Sequence, residues 1–97
     1  LFGTHLAFGQ INREQALALQ RQAIELMDYG DPDQGIVLLR QALTLDPDYW
    51  PLTYEMAYAY MVKRDYQKAI KLAKPLYKYE DCNDLVYQLV GNCNADL

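Results

Sequence analysis

Residues 16–49 read ALALQRQAIELMDYGDPDQGIVLLRQALTLDPDY, and their punctuation decides the fold. Leu19, Ala23, Leu26 and Met27 recur at helical spacing, the mark of an amphipathic helix. Gly30 closes that stripe, as a glycine just past a helix C-terminus does. Asp31-Pro32-Asp33-Gln34 follows at once. It offers a capping carboxylate and then a proline whose missing N–H costs nothing in a first helical turn. Ile36, Leu39, Ala42 and Leu43 form the next stripe, with Leu38 beside it. Asp46-Pro47 stops it, because the residue before a proline disfavours helix. So short a connection forces the two helices antiparallel.

Upstream, Asn12-Arg13-Glu14-Gln15 is a capping-box variant and predicts the first helix to begin there. Downstream, a third helix is predicted from Trp50 to about Lys63, with Pro51 in its first turn. Met56, Ala57, Tyr60 and Met61 make one stripe on it, Tyr54 and Tyr58 another. A fourth starts at Asp65 and carries Ala69, Ile70, Leu72, Ala73 and Leu76. Pro75 lies within it and crowds the carbonyl of Lys71, which predicts a kink or an early end. A fifth starts near Asn83 or Asp84 and holds Leu85, Val86, Leu89, Val90 and Cys93. The expected class is all-α, with about five helices.

Small residues expose a period of 34. Ala23, Ala57 and Gly91 are so spaced, as are Gly35 and Ala69; Leu19, Thr53 and Tyr87 form a third series, and Leu26 with Tyr60 a fourth. Small residues at fixed places let helix backbones approach to about 8–10 Å. Paired helices repeating every 34 residues resemble the tetratricopeptide repeat. Leu19, Ala23, Leu26, Gly35, Leu39, Ala42 and Pro47 fall on that family's large, small and proline positions, although Gln22 stands where it has Leu. The units are 16–49, 50–83 and a partial 84–97. In the second, Ala57, Tyr60, Tyr66 and Ala69 fit, whereas Thr53, Leu76 and Asp81 depart from the pattern. In the third, Tyr87, Val90 and Gly91 are in register.

The resemblance implies antiparallel hairpins stacked as a right-handed superhelix, with a concave groove lined by the first helix of each unit. By position, the groove residues are Leu17, Gln20, Ile24, Met27 and Asp28 from the first unit. Tyr54, Tyr58, Met61 and Val62 come from the second, and Gln88 and Asn92 from the third. Tyrosines one turn apart combine apolar area with a hydroxyl, the mix enriched in interfaces; they could equally cover the core. Some members of the family grip a peptide's terminal carboxylate with Lys, Arg and Asn on this face. Here Gln20, Ile24, Tyr54 and Tyr58 hold matching positions, so that clamp is not expected.

The bulk numbers fit this reading. Ninety-seven residues suit one domain, and 52% hydrophobic residues supply a core. A net charge of −4 with no basic face argues against nucleic acid. Nothing approaches the roughly 18 apolar residues a membrane span needs. Cys82 and Cys93 on one helix would lie about 15 Å apart, too far for a disulfide. Residues 31–42 lack the Glu that would close a calcium loop, since position twelve is Ala42. His5 has no catalytic neighbour in sequence, and no nucleophile–base pair or metal cluster is legible. No cofactor is therefore expected.

Residues 1–11 read either as an N-terminal arm or as the tail of a targeting segment, which leaves the compartment open between cytoplasm and export. The helical domain spans 12–97. The lone opening helix of the third unit has an apolar face to cover, so a longer array, a capping role or self-association are all open. The expected function is a non-enzymatic module that binds a protein or peptide segment in its groove. The alternative is a structural or oligomerising segment whose groove is filled internally.

Overall fold

The structure is a computed structural model; it describes the backbone of residues 2–97 and the side chains of residues 9–97. Five α-helices account for most of it: α1 (Phe2–Asp28), α2 (Pro32–Leu45), α3 (Trp50–Val62), α4 (Tyr66–Ala73) and α5 (Asp84–Asp96). A 3₁₀ segment, Lys74–Lys78, follows α4. Pro75 sits in its first turn, so the proline does end the α-helix early, where its ring would otherwise meet the carbonyl four residues back. The described residues hold no strand, and the all-α repeat expected from the sequence is the fold observed.

The period of 34 extends into the hydrogen bonds. The Asp31 side chain accepts from the Gln34 N–H at 3.2 Å, and Asp65 accepts from the Lys68 N–H at 3.3 Å. Gly30 turns the chain out of α1 with φ +87°, and Arg64 turns it out of α3 with φ +67°. In each turn the next residue's N–H reaches back five residues. Asp31 donates to the Leu26 carbonyl at 2.8 Å, and Asp65 to the Tyr60 carbonyl at 2.9 Å. Both are Schellman closures, which satisfy carbonyls that a helix end leaves orphaned.

The second closure holds an arginine in left-handed backbone, where a Cβ costs roughly 1–2 kcal/mol. Arg64→Gly is therefore expected to stabilise the protein. The added freedom of the unfolded glycine offsets part of the gain, leaving about 0.5–1 kcal/mol. The check is a higher urea midpoint with an unchanged slope.

One expectation fails. The structure runs α1 through Asn12 without a break, so the cap predicted there is unused. No proline lies between residues 2 and 28, and an Asn in an exposed helix interior costs only a few tenths of a kcal/mol.

Packing joins neighbours. α1 packs on α2, α2 on α3, α3 on α4 and α4 on α5, while the first helices α1, α3 and α5 also touch in that order. Ala16, Ala23, Leu39, Ala42, Leu52, Ala57, Ala69, Ala73, Val86 and Cys93 are fully buried. The α1–α2 crossing is closest at Gly35: a Cβ there would lie 3.0 Å from Met27 Cγ and 3.1 Å from the Ala23 carbonyl oxygen. Gly91, in series with Ala23 and Ala57, has open space where its Cβ would be. No described helix packs against it.

Candidate functional site: the first-helix cleft

Because α1, α3 and α5 touch in order, one face of the molecule is made of first helices alone. On that face an open cleft of about 290 Å³ is lined by Ile24 and Asp28 of α1, Tyr54, Glu55 and Tyr58 of α3, and Leu85 of α5. All three units contribute to it. Helical spacing produces the arrangement: Ile24 and Asp28 are one turn apart, as are Tyr54 and Tyr58, so each pair projects from one stripe.

The cleft is aromatic, apolar and acidic. Tyr58 is 38% exposed and Leu85 52% exposed. Burial pushes the Glu55 carboxyl up from its ordinary value, and the nearby Asp28 carboxylate pushes it further. Burial likewise raises the Tyr54 phenol, followed by the charge of Glu55 and by Tyr58. None of Asp28, Glu55, Tyr54 and Tyr58 makes a side-chain hydrogen bond or ion pair among the described residues. The two ion pairs found there, Arg13–Asp46 and Lys63–Asp33, lie elsewhere.

A carboxyl whose folded pKa is raised holds its proton more tightly in the folded state than in the unfolded one. Stability therefore falls as pH rises from the ordinary Glu value through the raised one, and the penalty persists at neutral pH. Glu55→Gln is expected to stabilise at pH 7 by less than about 1 kcal/mol, since water screens the open site. Thermal melts of the two proteins should differ at pH 7 and converge below pH ~4.

The positions carried over from the repeat pattern are only partly gathered here. Ile24, Asp28, Tyr54 and Tyr58 line the cleft. Leu17 and Gln20 lie further back along α1, partly buried, and do not line it. Met27 is a correction: it is 8% exposed and fills the space beneath Gly35, so it belongs to the core rather than the groove. Met61 is half-buried against the core. Val62, Gln88 and Asn92 are exposed but outside the cleft.

Glu55 and Leu85 went unrecognised. Glu55 could have been found from its place between the two tyrosines. Leu85 could not, because the lining steps toward the helix N-terminus by about one turn from each unit to the next, whereas a carry-over by 34 assumes no such slide.

A larger hollow of about 630 Å³ lies where α1 passes the end of α2, lined by Gly9, Gln10, Arg13, Glu14 and Asp46. Its chemistry is self-contained: Arg13 pairs with Asp46 and lies 4.1 Å from the centre of the Tyr49 ring. Cys82 and Cys93 are free thiols. Burial raises the Cys93 thiol, which keeps it protonated and unreactive. Among the described residues no helix is long and apolar enough to cross a membrane, and no group of three or more His, Cys, Asp or Glu is placed to hold a metal.

The family model described as Tetratricopeptide repeat matches residues 26–93, from the last turn of α1 to α5. No curated protein and no solved structure matched the chain. The matched span covers well over half of the sequence and contains both Schellman closures, both capping aspartates and every cleft residue but Ile24. The chain belongs to the tetratricopeptide-repeat family, whose repeats generally serve as protein–protein interaction modules.

Proposed function

We propose that the chain is a non-catalytic scaffold that holds a peptide or protein segment on the face formed by α1, α3 and α5. The observation that carries this reading is the cleft itself. Tyr54 and Tyr58 stand half out of the core beside Ile24 and Leu85, with polar groups that nothing in the described residues satisfies. Exposed tyrosines beside aliphatic side chains are the composition of an interface anchor. Recognition by such a face is side chains entering between helix stripes.

Tyr54→Ala/Tyr58→Ala is expected to weaken a bound segment by about 2 kcal/mol or more, which calorimetry would read as a roughly thirtyfold rise in Kd. The fold should survive, because neither tyrosine is fully buried. Amide shifts on binding should cluster at residues 24–28, 54–58 and 85. Shifts confined to the outer faces of α2 and α4 would sink the groove reading.

A second reading, that the chain joins copies of itself or further repeats, is favoured by one observation. The open side of α5 carries Gly91 with no neighbour, and Tyr87, at 51% exposure, stacks on Tyr77 with ring centres 4.4 Å apart. Sedimentation equilibrium would report such association as a mass that rises with concentration.

A further inference from the structure

The cleft carries charge of one sign only. Asp28 and Glu55 line it, and no lysine or arginine does. Their charges reach each other, since Asp28 raises the Glu55 carboxyl. The two ion pairs among the described residues, Arg13 with Asp46 and Lys63 with Asp33 at 2.5 Å, lie outside the cleft. The cleft thus brings a half-buried carboxylate, Glu55, near an exposed one, Asp28, and places no counter-charge beside either among its lining residues. Half-burying the Glu55 carboxylate near a second negative charge is unfavourable, and a bound cation would relieve it.

The rest of the lining fits the same missing group. Tyr54 and Tyr58, one turn apart on α3, bring aromatic rings and phenol oxygens to the same lining as Glu55. A guanidinium or ammonium is attracted to an aromatic face and donates to carboxylates and hydroxyls. Ile24 and Leu85 supply apolar walls for the methylene stem of such a side chain, or for an aliphatic neighbour. A volume of about 290 Å³ is at the bottom of the range for small-molecule sites and takes one or two side chains.

We infer that the occupant of this cleft is a protein segment presenting a lysine or arginine next to an aliphatic residue, with the cation held between Asp28 and Glu55 and the tyrosine rings. This rests on the groove reading above and specifies its ligand. It is opposite in sign to the carboxylate grip found elsewhere in such repeats: acids stand in the groove, and the partner brings the base.

A random-peptide display selection on the folded protein tests it, repeated on Asp28→Asn/Glu55→Gln. Both substitutions keep shape and remove charge. Glu80→Gln/Asp81→Asn serves as control, because it removes the same charge from an exposed turn outside the cleft. The expected result is enrichment of Lys or Arg beside Leu, Ile or Val on the wild type and the control, lost on the cleft variant. A selected peptide should bind the cleft variant roughly tenfold more weakly or worse.

Basic enrichment that survives on Asp28→Asn/Glu55→Gln overturns the inference, since net acidity then explains it. A consensus without a cation that is nonetheless lost on Tyr54→Ala/Tyr58→Ala overturns the inference and leaves the groove reading standing. Peptides indifferent to all four cleft substitutions overturn both.

Discussion

Leu39→Ala is expected to destabilise the protein by about 3–4 kcal/mol, within the range for large-to-small changes at closed core sites. Leu39 is fully buried on α2, at the centre of the Ile36–Leu39–Ala42 stripe. Truncation removes three side-chain carbons from a site with no exposure, and α2 is held between α1 and α3, so the wall cannot readily collapse from either side. A chain of 97 residues has a total stability of roughly 5–15 kcal/mol, so this single change removes a large share of it. A thermal melt should show a fall of roughly 15–25 °C. A loss under about 1 kcal/mol would mean that the α1–α2–α3 core is not packed as described.

Gly35→Leu is the second large effect, and it has the opposite cause. Here matter is added where two backbones meet. The first carbon alone would stand 3.0 Å from Met27 Cγ and 3.1 Å from the Ala23 carbonyl oxygen. Met27 can swing aside, but the carbonyl is backbone of α1 and cannot move without the helix. Three further carbons must then push α1 and α2 apart, at a cost of about 3 kcal/mol or more. Gly35→Ala makes the instructive comparison. Its crowding is offset by about 1 kcal/mol of helix propensity, so its net effect should stay within about 1 kcal/mol. Urea midpoints for the pair separate steric exclusion from a requirement for glycine's backbone freedom, which this helical position does not need.

What the sequence reveals best are the features fixed by local chemistry. Aspartates at 31 and 65 cap helices because their side chains reach the backbone N–H three residues on. Ala23 with Ala57, and Gly35 with Ala69, are small because helices cross there, and all four are buried. These signals repeat at 34 residues, so the fold was legible. The start of α1 was not. Asn12 is a good cap, but no proline or run of helix breakers ahead of it ends the helix, and capping of about 1 kcal/mol is outweighed by continued helix.

The cleft was half legible. Its tyrosines follow from stripe position. Met27 lies in the core and Leu85 in the cleft because which face of a helix is covered depends on how far one unit slides along the next. That slide is a property of packing across α1, α3 and α5, and no single helix encodes it.

The neighbour-only packing also governs how the molecule assembles. Every close pair of helices is adjacent in sequence or one helix removed, so no step waits on bringing distant ends of the chain together. Loop-closure entropy stays small at each step, and chains with such local contacts fold on the microsecond-to-millisecond scale. The hairpins can then nucleate separately and join in any order. The cleft differs from them in this respect: its lining spans residues 24 to 85, so it comes into being only when the last helix has docked, and it is the first thing lost when that helix leaves.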